Sequence, residues 1–130
     1  YAQVFRKKYE SDKWLYGKSE GIRLKNMLKE HDLIGRGKAK ALGGLIWVTL
    51  VIRQDIVLHS IINGDWHPRP LDSVSWLEEA LAGAEAKTKP LRNKVKNFLK
   101  RADVEFAGVT TEDLMEAIGN ALSNQSISKL

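Results

Sequence analysis

Gly43–Pro70, GGLIWVTLVIRQDIVLHSIINGDWHPRP, decides the fold. Leu45–Ile52 is an apolar run rich in β-branched residues. Arg53-Gln54-Asp55 interrupts it, and a second such run, Ile56–Ile62, ends at Asn63-Gly64-Asp65. Two strand-like runs joined by a short polar break predict an antiparallel hairpin. Period-two spacing puts Ile46, Val48, Leu50 and Ile52 on one face, and Leu45, Trp47 and Val51 on the other. A hairpin apolar on both faces must be covered on both, by helices or by another chain. His67-Pro68-Arg69-Pro70 then makes a rigid turn out of the sheet, because neither proline has an amide donor.

Upstream, Ala2–Tyr16 favours a helix with Val4, Phe5, Tyr9 and Trp14 at roughly helical spacing, stopped at Gly17. Ile22–Leu33 reads as another short helix, with an extended alternative over Gly21–Leu24. Ile34–Lys40 is glycine-interrupted and basic, either a loop or a strand beside the hairpin. Downstream, Asp72 or Ser73 caps a helix that runs to about Ala82, with Gly83 as its stop. Thr88 caps the next helix, with Pro90 in its first turn and Leu91, Val95, Phe98 and Leu99 on its apolar side. Asp103–Gly108 is short and extended. Thr110-Thr111-Glu112-Asp113 has the form of a capping box and opens a last helix lined by Leu114, Met115, Ile118, Ala121 and Leu122. The expected architecture is α+β: an N-terminal helix, a small antiparallel sheet of two to three strands, and three C-terminal helices. It forms a single domain over 1–130, with 1–17 as a linker helix and 123–130 as a frayed tail.

The chain has 130 residues, 43% hydrophobic and 28% charged, in the range of one folded domain. It has no cysteine, which excludes disulfides, iron–sulfur ligation and thiol chemistry. No apolar run reaches a membrane span, and YAQVFRKKYE has no signal-like apolar core. A cytoplasmic protein is expected, either trimmed or part of a longer chain. The net charge is +5 and uneven: residues 86–101 carry 7 Lys/Arg and no acid, and residues 1–40 carry 11 Lys/Arg against 5 Asp/Glu. Such surfaces meet nucleic acid, an anionic nucleotide or an acidic protein, or simply face water.

Catalytic constellations are missing. His67 with Asp65 supplies two metal ligands, too few for a site. Gly35-Arg36-Gly37-Lys38 invites a phosphate-loop reading but lacks the GxxxxGK[ST] spacing. Aromatics among basic residues suit a small nucleic-acid-binding module, yet no known nucleic-acid motif accompanies them. Trp47 and Trp76 read as core, and Trp14 and Trp66 as packing or interface anchors.

Five segments in order carry a resemblance. Lys8–Gly17, KYESDKWLYG, resembles the Tyr-x-Ser-x-x-Trp-x-x-Gly segment leading into the C-terminal accessory domain of lipoate–protein ligases. Lys38–Ile46, KAKALGGLI, resembles the Lys-rich, Gly-Gly approach to that domain's first long strand. Ile61–Trp66, IINGDW, resembles its strand-ending Gly-Asp-aromatic signature. Leu77–Gly83 and Gly108–Leu114 fall where the family has similar helix-ending and helix-opening segments. Two features depart from the pattern: residues 22–36 are longer than the usual link, and Trp66-His67 stands where many relatives carry two phenylalanines.

The resemblance implies a fold similar to the iron–sulfur scaffold proteins (SufE/NifU-like). It also implies the accessory part of a two-part ligase, either a separate subunit or a domain of a fused enzyme. In this family the catalytic part uses ATP to activate lipoate as lipoyl-AMP and passes the lipoyl group to a lysine of an acceptor protein. Its Arg-Arg-x-x-Gly-Gly-Gly loop and its lysine motif are not in this sequence. Lipoate, ATP and Mg2+ are therefore expected in the catalytic partner, with no catalytic residue and no cofactor in this chain. The expected assembly is a heterodimer that serves lipoyl-acceptor proteins indirectly, without nucleic acid or membrane. Trp14, Gly17, Lys38, Lys40, Gly43, Gly44, Gly64, Asp65 and Trp66 are the motif or interface residues it implies.

Overall fold

The structure is a computed structural model, and it describes residues 32–127. Its elements in order are β1 (Leu33–Ala41), β2 (Gly44–Arg53), β3 (Ile56–Gly64), β4 (Pro68–Arg69), α1 (Ser73–Leu81), α2 (Thr88–Leu99), β5 (Glu105–Phe106), α3 (Thr111–Ser123) and β6 (Gln125–Ile127). The sheet has four antiparallel strands in the order β3-β2-β1-β6, and β4 and β5 form a separate pair.

The hairpin is β2–β3. Gln54 and Asp55 both have positive φ, 54° and 63°. Two left-handed residues in a two-residue loop suit the right-handed twist of the flanking strands, although neither is glycine. A bulge between Val51 and Ile52 accommodates Leu58.

The sheet is larger than the two to three strands expected. Leu33–Ala41 is a full strand, paired with β2 from Leu33↔Ile52 to Ala41↔Gly44. Of the helix expected over Ile22–Leu33, only the last two residues are described. Asp32 is not helical, and Leu33 opens β1. Gln125–Ile127, expected to fray, pairs with Leu33–Gly35 as the fourth strand. The N-terminal helix expected before Gly17 lies outside the described residues.

The alternation in GRGKAKA explains β1. Gly35, Gly37, Ala39 and Ala41 point to the helices, and Arg36, Lys38 and Lys40 point away. A Cβ on Gly35 would overlap the Ala121 carbonyl, and one on Gly37 would overlap Ala117 and Ala121 backbone atoms. The small residues let α3 lie directly on the strand's backbone.

All three described helices pack on this one face. Ile46, Val48, Leu50 and Ile52 of β2 meet Leu77 and Leu81 of α1, Leu91, Val95 and Phe98 of α2, and Leu114 and Ile118 of α3 in a single core. The capping box of α3 is formed: Asp113 N–H donates to Thr110 Oγ1 at 3.2 Å, and Thr110 N–H donates to Asp113 Oδ2 at 2.9 Å. The other two caps differ from expectation. Asp72 is at the N-cap of α1 but makes no side-chain cap, and α2 is preceded by Lys87, with Thr88 already helical. No helix among the described residues is long and apolar enough to cross a membrane.

The outer edge of β3 is closed. Glu78 of α1 accepts the Ile62 N–H at 2.8 Å, and Ser60 Oγ donates to the Glu78 carbonyl at 3.2 Å. Further along, Val57 N–H donates to the Ala84 carbonyl and Gly83 N–H to the Val57 carbonyl. An edge whose backbone groups are used in this way does not recruit an added strand.

Candidate functional site

The candidate residues of the sheet fall into two groups. Gly43, Gly44, Gly64, Asp65 and Trp66 form a knot at one end. Leu42 and Gly43 make the β1–β2 turn, and Gly44 closes it at φ 141°, in the region that favours glycine. Asp65 locks the turn: its Oδ1 accepts the Leu45 N–H at 2.6 Å, and its own N–H donates to the Leu45 carbonyl at 3.3 Å. Gly64 has no room for a side chain between the Leu45 carbonyl and the Trp66 ring. Gly43 N–H donates to the Gly108 carbonyl at 2.8 Å, which ties the turn to the β5–α3 loop.

Trp66 closes the knot from inside. It is 6% exposed and its ring meets Phe106 at 4.8 Å between centroids, while Phe106 meets Phe98 at 5.8 Å. Of the two roles open to Trp66, packing anchor and interface anchor, its burial fits the first. The pairing Pro68↔Phe106 holds the exit from β3 against the same ring.

The second group is Lys38 and Lys40. Both are exposed, on the sheet face opposite the helices, and the Lys38 carbonyl accepts from Asn120 Nδ2 at 2.8 Å. They lead to Leu42 at the turn, which is 97% exposed. A cationic strand running into an exposed leucine is suited to meeting an acidic surface with an apolar contact at its end. Trp14 and Gly17 lie outside the described residues.

Among the described residues no three His, Asp or Glu side chains are grouped to hold a metal ion. The cleft between β3 and α1, lined by Leu58, His59, Ser75 and Glu79, has a volume of about 160 Å3, below the ~300 Å3 at which small-molecule sites begin. Arg53 forms a bidentate ion pair with Asp32, 2.7 and 2.8 Å, and that hydrogen bonding raises the guanidinium's pKa further. The sequence does not reveal this pair, because the helix expected over Ile22–Leu33 includes Asp32.

Neither a family model nor a curated protein matches the sequence. A solved structure does. It comes from the structural analysis of an archaeal lipoylation system, a bi-partite lipoate protein ligase and its E2 lipoyl domain from Thermoplasma acidophilum. The likeness has a TM-score of 0.61 and 29% sequence identity, covering 67% of this chain and 96% of the other. This likeness supports the resemblance to the lipoate–protein ligase accessory proteins. The Gly-Gly turn and the Gly-Asp-Trp exit that carried the resemblance in the sequence are the two sides of the knot. Their glycines and aspartate are explained by close backbone approach and by the Leu45 hydrogen bonds, before any partner is invoked.

Proposed function

We propose that the chain is the non-catalytic accessory subunit of a bipartite lipoate–protein ligase. It would act in the cytoplasm as a heterodimer with a separate catalytic subunit and support the ATP-dependent activation of lipoate to lipoyl-AMP. Lipoate, ATP and Mg2+ would bind the catalytic subunit, and lipoyl-acceptor proteins would be met through it. The observation that carries this reading is the likeness over 96% of a chain from the Thermoplasma ligase system. The described surface is consistent with a docking module: a knot that fixes one end of the sheet, with Lys38, Lys40 and Leu42 exposed beside it. The lysines would meet acidic or phosphate-bearing groups on the nucleotide side of the partner. The fold likeness to the iron–sulfur scaffold proteins is part of the same reading and concerns architecture alone, since a chain without cysteine cannot carry their chemistry.

The test is reconstitution. Lipoyl-AMP formation by the catalytic subunit is measured with and without this chain, followed by lipoyl transfer from preformed lipoyl-AMP. Adenylation that depends on the chain, with transfer much less dependent, supports the proposal. Adenylation at the same rate without the chain overturns it.

A further inference from the structure

Three large apolar side chains are exposed among the described residues: Leu42 at 97%, Leu71 at 83% and Ile127 at 59%. A lone exposed leucine needs no explanation. Leu42 and Leu71 are not lone, because the knot brings them near each other from separate parts of the sequence. Gly43, next to Leu42, donates its N–H to the Gly108 carbonyl at 2.8 Å. Phe106, just before Gly108, pairs with Pro68, just before Leu71. Consecutive Cα atoms are about 3.8 Å apart and paired strands about 5 Å, so this path holds the two leucines within roughly 30 Å. That is the breadth of the ~800 Å2 that one partner contributes to a standard interface.

Both leucines sit on fixed backbone. The turn that carries Leu42 is tied at Gly43 and clamped by Asp65 through the Leu45 amide. Leu71 stands between two fixed points. Upstream, Pro68 is held by its pairing with Phe106. Downstream, the Pro70 carbonyl accepts both the N–H and the Oγ of buried Ser73, at 2.9 and 2.6 Å. Apolar groups ordered before contact lose little freedom when a partner covers them, so more of their burial appears as affinity. Between the leucines, Arg69 and Glu105 are exposed cross-strand neighbours with no ion pair between them. Each can take a polar group from a partner. Apolar anchors with polar groups around them are the anatomy of a protein interface.

The charges beside the anchors are mixed in sign, Lys40 near Leu42 and Asp72 next to Leu71. That suits a protein surface and opposes an anionic membrane. The surface is also continuous with Lys38, Lys40 and Leu42, the residues that would meet the catalytic subunit. We propose that Leu42 and Leu71 are paired anchors for the catalytic subunit, each entering an apolar recess on it, with Arg69 and Glu105 making polar contacts between them. This rests on the ligase reading and extends its docking surface across the knot to Leu71.

Binding of the full-length chain to the catalytic subunit is measured by calorimetry for wild type, Leu42→Ser, Leu71→Ser and the double variant. Ile127→Ser is the control, an exposed apolar position where β6 meets the opposite end of β1. Each single leucine variant should bind about tenfold more weakly and the double variant about a hundredfold. Thermal midpoints should stay at the wild-type value, Ile127→Ser should bind normally, and Leu42→Met with Leu71→Met should keep most of the affinity. Wild-type binding that is weakened by neither leucine variant, or by only one, overturns the paired anchors and leaves the ligase reading standing. No binding by the wild type overturns both. A dimer of the chain alone that the same substitutions dissolve in sedimentation assigns the leucines to a second copy and overturns the proposal. Leucine-dependent binding to vesicles of anionic phospholipid overturns it as well.

Discussion

Gly37 of β1 lies against the backbone of Ala121 in α3, with no space between them for a single carbon. The obstructing atoms are backbone atoms of Ala117 and Ala121, not the flexible end of a side chain, so the helix itself must move to admit one. Overpacking of this kind costs about 1–3 kcal/mol. Gly37→Ala should lower the urea midpoint at unchanged denaturant slope, and Gly37→Val should lower it further. An unchanged midpoint for both would show that α3 is not seated on β1 as described.

Asp65 accepts the Leu45 N–H and so holds the Gly43–Gly44 turn against the exit from β3. Asp65→Ala leaves that donor to water, because the carboxylate lies at an exposed position. A charge-assisted hydrogen bond at such a site is worth about 1 kcal/mol after solvent competition. The expected result is a loss of that order in stability, with faster hydrogen exchange of the Leu45 amide and little change at the Val95 amide in α2. Asp65→Asn keeps an acceptor and should recover part of the protection. Equal Leu45 exchange in wild type and Asp65→Ala would remove the clamp from the account of this motif.

The hairpin was legible because its two apolar runs and the polar break between them are local features. The capping box at Thr110 was legible for the same reason. β1 was half legible: the Gly-Arg-Gly-Lys-Ala-Lys-Ala alternation is a strand pattern, but small residues on the inner face look like loop until α3 is known to lie on them. β6 was not legible, since Gln125–Ile127 is short, polar and exposed and exists only because β1 offers an edge. Trp66 illustrates the same limit at the candidate site. Its sequence neighbours are a glycine, an aspartate and two prolines, which suggest a surface turn. The residue that buries it, Phe106, is distant in sequence and pairs through β5.

Asp103 and Arg101 give a pH dependence with a definite sign. Both guanidinium nitrogens that face Asp103 donate to it, at 2.9 and 2.7 Å, and this hydrogen bonding, aided by the positive charge, holds its carboxyl below the ordinary aspartate value. A folded pKa below the unfolded one means that the pair's contribution is present above the unfolded value. It is lost as pH falls through the lower, folded value. Both side chains are exposed, so the sensitive measurement is the carboxyl-carbon titration of Asp103 by NMR, not global stability. Its midpoint should lie below that of a free aspartate, and Arg101→Gln should return it to the ordinary range. The same midpoint in both proteins would exclude the pairing in solution. Arg101 also lies 5.1 Å from the Trp76 ring centroid, so the substitution should shift the Trp76 indole resonance as well.

Lys38 and Lys40 place two cations on an exposed strand face that leads to Leu42. Their side chains contribute nothing to the core, so charge reversal there should leave stability within about 0.5 kcal/mol. Partner contact is different. If these lysines meet acidic or phosphate-bearing groups of the catalytic subunit, Lys38→Glu with Lys40→Glu converts attraction into repulsion across the interface. Reconstituted adenylation should then fall about tenfold, equivalent to about 1.4 kcal/mol, with most of the loss in association and a steeper effect at low salt. Arg92→Glu reverses a cation on α2, beside Glu112 and away from this strand, and should leave adenylation unchanged. A charge-reversed pair that adenylates at the wild-type rate would move the docking surface elsewhere. Strong, steeply salt-dependent binding of the wild-type chain to DNA or RNA, abolished by the same double substitution, would favour the nucleic-acid reading of this strand over the ligase reading.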